Sequence, residues 1–199
     1  MKERGIIFNE FEVRATLDGR KTQFRRPITK IVDKIHGGKI TEFGVTETKG
    51  YDFHFRDRRA TGNDVRVGWV LSRCPFGSIG DCLYLREGIC TDIDGNIRYR
   101  FDYSGAGIVT FATPWKSSTQ MPRWASRLTL EITGVRVERL QEITLKDIVF
   151  EGLSESVYEH KPAQAAFDAY RNYWDSMFSK KGHPWDANPW VWVVDFKVV

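Results

Sequence analysis

Residues 128–140 leave this chain the least freedom. Leu128, Leu130 and Ile132 alternate with Thr129, Glu131 and Thr133, and in a strand every second side chain points to the same face. The pattern requires a sheet with one face buried against the rest of the molecule. Gly134 is a natural place for a bend or bulge before Val135 and Val137 resume the alternation. Residues 190–199 form a strongly apolar strand at the end of the sequence. Shorter strands are predicted at 6–8, 40–46, 51–55, 65–71 and 82–86, with Gly68 weakening the one at 65–71. Asp94-Gly95-Asn96 marks a hairpin turn between strands near Ile89 and 97–103.

Helices flank this strand-rich middle. Asn9 followed by Glu12 reads as a capping box, and Gly19 as the stop of the helix it begins. Thr144, followed by Asp147, opens a short helix to about Phe150. Pro162 suits the first turn of a longer one, in which Phe167, Tyr170, Trp174 and Phe178 recur at helical spacing. Residues 104–122 read as a surface loop. The class is α+β.

The 199 residues are 41% hydrophobic and 28% charged, a balance that suits one folded domain with a core of its own. Cys74, Cys82 and Cys90 are too widely spaced for a zinc site and odd in number, so reduced thiols in or beside strands are expected. No stretch approaches the ~20 apolar residues of a membrane span, and the first residues hold too short an apolar run for a secretory signal. A cytoplasmic location is expected. No metal site, phosphate loop or dinucleotide fingerprint is found, and no cofactor is expected.

The formal net charge is +4, and residues 1–30 carry eight basic and four acidic side chains, while the remainder balances at 22 against 22. Charge localised in this way points to an anion-facing patch, although a solvated surface would read the same. Within it, Arg20, Lys21, Arg25 and Arg26 fall between the helix stop at Gly19 and Pro27. Arginine can grip a phosphate by two parallel hydrogen bonds, and Lys21 can serve as a point charge or a base. Surface pairing with Glu10 or Asp18 is the alternative. Arg123-Trp124-Ala125-Ser126-Arg127 sets an aromatic between two arginines, an arrangement suited to stacking on a base with phosphates on either side. Burial of Trp124 with its arginines reaching solvent is equally compatible. Trp185, Trp190 and Trp192 read as core residues.

Gly19-Arg20-Lys21-Thr22-Gln23-Phe24-Arg25-Arg26 resembles the G-x-K-x-x-x-x-R signature of ASCH domains, relatives of the PUA fold. Gly80-Asp81-Cys82-Leu83-Tyr84-Leu85 resembles the glycine–aspartate turn and strand of that family. Residues 128–140 with 144–151 resemble its long strand and following short helix, and residues 190–197 its closing strand. The chain also resembles bacteriophage-encoded ASCH-like proteins through Cys74-Pro75-Phe76-Gly77, residues 121–127 and residues 185–190. The resemblance implies a PUA-like small mixed β-barrel with flanking helices, one domain over 1–199, with insertions at about 28–78 and 87–122.

The resemblance also implies function. The favoured expectation is a basic cleft that binds RNA, single-stranded DNA, or a nucleoside or nucleotide such as one with a modified base. Arg20, Lys21, Arg25, Arg26, Arg123 and Arg127 would meet phosphate or base edges, and Phe24 and Trp124 would stack. The alternative is an amidohydrolase of acylated nucleosides such as acetylated cytidine, because some small bacterial ASCH proteins use a lysine, a threonine and a glutamate for that reaction. Lys21 and Glu151 fall on the lysine and glutamate. Phe24 occupies the threonine position, and Thr22 is the nearby hydroxyl that could replace it. A third expectation is a phage accessory protein that contacts a host protein through its insertions.

Overall fold

The computed structural model describes residues 1–29, 40–57, 62–103, 111–153 and 163–199. A five-stranded mixed sheet organises it, in the order β1 (Glu3–Ile7), β6 (Cys82–Arg86), β9 (Thr129–Arg139), β10 (Trp190–Val198) and β2 (Gln23–Pro27). β1 and β6 are parallel, and the other neighbours are antiparallel. Two smaller sheets join it: β3 (Ile40–Val45), β4 (Phe53–Asp57) and β5 (Gly62–Val65), and the hairpin of β7 (Ile89–Thr91) with β8 (Ile97–Tyr99).

The long alternation forms β9, and its partner β10 carries the apolar run. Register between them shifts where Asp195 faces Gly134 and Phe196 faces Ile132, so Thr133 is the extra residue of a bulge. A Cβ at Gly134 would come within 2.6 Å of Asp195 Oδ2, which is why glycine suits the spot. In β10, Trp192, Val194 and Phe196 enter one core cluster while Val191 and Val193 enter another. Both faces are covered, so the sequence shows a continuous apolar run instead of an alternation.

On one face lie α3 (Leu145–Phe150) and α4 (Ala163–Phe178), the latter burying Ala166, Tyr170, Trp174 and Phe178 at four-residue intervals. Thr144 caps α3 as expected; Pro162 lies outside the described residues. The other core cluster takes in Phe55, Val65 and Val70 from the segment expected to be an insertion.

The expected α+β arrangement, a mixed sheet with flanking helices, is present, and strand pairing among the described residues leaves β1 and β2 as sheet edges. Just before β2, Lys21 forms a bridge with Glu151, and the Thr22 amide donates to the Phe150 carbonyl, so the end of α3 flanks that side. Two expectations are corrected. Residues 65–71 are not one strand: β5 ends at Val65, and α2 (Val67–Leu71) follows. Asp52 Oδ2 accepts the Val67 amide at 2.8 Å and turns the chain, and helical spacing sends Val70 into the core. Second, Met121, in the expected surface loop, is buried with Ile89 and Ala125; residues 104–110 lie outside the described residues. Cys74, Cys82 and Cys90 are buried free thiols. Among the described residues no helix is long and apolar enough to cross a membrane.

Candidate functional site

The basic segment leaves α1 (Glu10–Leu17) through Gly19, whose φ of 73° is the left-handed geometry that glycine adopts without penalty. Amides of Arg20 and Lys21 both donate to the Ala15 carbonyl at 2.9 Å. This tight turn points Lys21 inward, where it is 0% exposed. Its Nζ lies 2.7 Å from Glu151 Oε2, 3.1 Å from the Glu151 carbonyl and 3.7 Å from Glu12 Oε1. The two residues that the family resemblance singled out, 130 positions apart in sequence, are therefore in direct contact.

Arg25 continues the buried array. Its guanidinium reaches Glu138 Oε1 at 2.6 Å, Glu151 Oε1 at 3.3 Å and Asp147 Oδ2 at 3.5 Å, and it also donates to Gln23. Arg136 extends the array to Glu138, Asp147 and Asp195 at 2.9–3.0 Å. Tyr170 of α4 donates to Glu151 Oε1 at 3.3 Å, so α4 covers the array from outside the sheet. Burial opposes the charge on Arg25, but Glu151, Tyr170 and Glu138 outweigh it and its pKa rises. Burial pushes the Asp147 carboxyl up, yet bonds from Thr144 and the charges of Arg25 and Arg136 win, and its pKa falls to about 2. Burial and the Glu151 charge raise the Tyr170 phenol, which keeps it a donor.

Arg26 points elsewhere. It pairs with both oxygens of Glu12 at 3.0 and 3.2 Å, and its side chain remains 16% exposed. Glu12 thus holds three things together: the N-cap amide of Asn9, Arg26 and, more distantly, Lys21. Burial would raise its pKa, but the two cations and the Asn9 amide lower it. This ion pair forms one wall of a pocket of about 470 Å³ between the end of β1 and the end of α4, with Asn9, Phe8, Lys180 and Lys181 also lining it.

The remaining expected residues go to other places. Phe24 is 0% exposed and packs edge-on against Phe8 and Phe76, so its ring is committed to the core and not open for stacking. Lys21 and Arg25 are likewise enclosed among carboxylates instead of facing an external phosphate. Arg20 bonds to Asp18 and to the Gly152 carbonyl. Thr22 is half-buried, with its backbone bonded to Phe150 and Phe196. Arg123 clasps Glu3 at the first residue of β1, the opposite end from the pocket. Trp124 beside it is 77% exposed, not core. Arg127 pairs with Glu87 and Asp102. Glu12, Lys180 and Lys181 were not singled out from the sequence. The capping role of Glu12 masked its place beside Lys21 and Arg26, and the lysine pair just past a helix end was the available signal.

No family model and no curated protein matches the sequence. Among solved structures the chain is similar to an ASCH domain from Lactobacillus crispatus JV V101, with a TM-score of 0.43 and 13% identity, over 99% of this chain and 79% of that one.

Proposed function

We propose that this is an ASCH-type binding protein that takes a nucleotide, or a nucleotide unit of single-stranded RNA or DNA, in the pocket between β1, α1 and α4. The observation that carries the reading is the pocket itself, about 470 Å³, a size ordinary for small-molecule sites. It brings three cations, Arg26, Lys180 and Lys181, to an apolar wall of Phe8, Met177 and Phe178. Arg26 is fixed by Glu12 before any ligand arrives, which lowers the ordering cost of binding. Lys180 and Lys181 are exposed and suited to phosphate. Behind this wall the buried Lys21 lies 3.7 Å from Glu12 Oε1 and over the Phe8 ring.

Fluorescence anisotropy with short labelled RNA and DNA at two salt concentrations tests it. Neutralising phosphates releases counterions, so affinity should fall with salt, and Lys180→Ala with Lys181→Ala should reduce the slope by about 1–2. Equal affinity at low and moderate salt would remove phosphate as the anchor.

A second reading rests on the 2.7 Å contact of Lys21 with Glu151. A lysine beside a carboxylate can shuttle protons in amide hydrolysis, with Thr22 as the available hydroxyl. It ranks second because both groups are enclosed and Phe24 fills the threonine position. Turnover of acetylated cytidine, lost in Lys21→Ala, would promote it; absence of turnover leaves the binding reading alone.

A further inference from the structure

The pocket between β1, α1 and α4 has hydrogen-bond donors to spare and few acceptors. Glu12 is buried, and its two oxygens already receive Arg26 and the Asn9 amide. Asn9 Oδ1 accepts the Glu12 amide, and Asn9 Nδ2 donates to Met177 Sδ at 3.2 Å. The Ser176 hydroxyl donates to the Tyr173 carbonyl at 2.7 Å. The side chains that could read the edge of a base are thus largely engaged. The cations are not. Arg26 uses its two terminal nitrogens on Glu12 and the Arg25 carbonyl, which leaves Nε. Lys180 and Lys181 are exposed and form no ion pair among the described residues. No ring face is open either. Phe8 and Phe178 are buried, the Arg26 guanidinium lies over both, and Lys181 stands 5.2 Å over Phe178.

Resting on the nucleotide reading above, we infer that the pocket holds the phosphate end of its ligand, a terminal mono-, di- or triphosphate group, and leaves the base unread. A phosphate is rich in acceptors, the complement of a wall whose open groups are donors. Three cations, Arg26, Lys180 and Lys181, stand against the one carboxylate of Glu12, which is shared with Lys21 at 3.7 Å. The wall therefore keeps positive charge in excess. A terminal phosphate, with close to two negative charges, answers that excess better than an internal phosphodiester with one. A base would find neither a free ring to stack on nor partners for its edge.

Calorimetric titration of the full chain, in buffer free of divalent cations, tests this with the mono-, di- and triphosphates of adenosine and of uridine and with inorganic pyrophosphate. Affinity should rise about tenfold with each added phosphate, as a further charge-assisted hydrogen bond allows. The adenosine and uridine series should agree within about twofold, and pyrophosphate should bind where the bare nucleosides do not. Lys180→Ala combined with Lys181→Ala, both at exposed positions, should abolish the dependence on phosphate number and leave the melting temperature unchanged. A strand with a terminal phosphate that binds more tightly than the triphosphates would identify a strand end as the ligand, and the reverse order a free nucleotide. Equal affinity along each series, a difference of about tenfold between the two bases, or a strand that binds alike with and without its terminal phosphate would overturn this inference and leave a nucleotide pocket standing. No binding of any nucleotide or strand would overturn both.

Discussion

Lys21 is a cation that the fold removes entirely from water. Such a charge is tolerable only beside a carboxylate, and Glu151 at 2.7 Å supplies it. Lys21→Met should therefore leave Glu151 short of a counter-charge and cost about 3–5 kcal/mol, read from urea midpoints. Lys21→Met combined with Glu151→Gln should cost less than the sum of the singles, by about 0.5–3 kcal/mol, since Arg25 keeps Glu138 and Asp147. Additive costs would mean that the two groups do not act as a pair. The acid limb of stability belongs to the same array. Asp147 is depressed from 3.8 to about 2 in the fold, so the unfolded chain takes up its proton first as pH falls. Its contribution, about 2 kcal/mol, is fully present above pH ~4 and is lost as pH drops towards about 2. Glu12, also lowered, acts in the same direction. Asp147→Asn should flatten the pH dependence of the melting temperature in that window; an unchanged limb would refute the assignment.

Two glycines separate backbone geometry from packing where the elements meet. Gly19 (φ 73°) ends α1 with nothing within 4 Å of a would-be Cβ, whereas Gly152 (φ 94°), past α3, would place one 2.7 Å from Ala15 Cβ and 3.1 Å from Lys21 Cβ. Gly19→Ala should cost only the left-handed penalty, about 1–2 kcal/mol. Gly152→Ala should add about 1–3 kcal/mol for the clash; equal costs would show that α1 and α3 do not press together there. Elements with local signatures were legible in the sequence. The capping boxes at Asn9–Glu12 and Thr144–Asp147, the alternation of β9 and its bulge at Gly134 all depend on near neighbours. Residues 67–71 were not, because five residues rich in apolar side chains fit a strand and a helical turn alike, and a distant Asp52 decides. β2 misled in a different way. Its polar residues Gln23 and Arg25 are buried as fully as Phe24, so polarity no longer marks the outward face. The contact of Lys21 with Glu151 was an expectation of family resemblance alone, since spacing says nothing across 130 positions.

The charge of the first thirty residues looked like a surface feature, yet much of it closes internally. Lys21 and Arg25 meet Glu151, Arg26 meets Glu12 and Arg20 meets Asp18. What faces outward at the pocket is Arg26 together with Lys180 and Lys181 from the far end of the sequence. The same long-range closure governs the core. Phe55 and Val65 from the small sheet and Val70 from α2 are buried in one cluster with Leu83, Leu130 and Trp192 of the large sheet. Trp190 of β10 meets Phe43 and Phe53 edge-on, each at 5.5 Å. A segment attached in this way has no separate core to retain when the large sheet opens. Urea unfolding followed by tryptophan fluorescence and by far-ultraviolet circular dichroism should accordingly give one coincident transition. Phe55→Ala should lower that whole transition by about 3–5 kcal/mol, the cost of emptying a large buried site. An early transition confined to one probe, or a Phe55→Ala change that splits the curve, would mean that the small sheet is a separate unit resting on the large one.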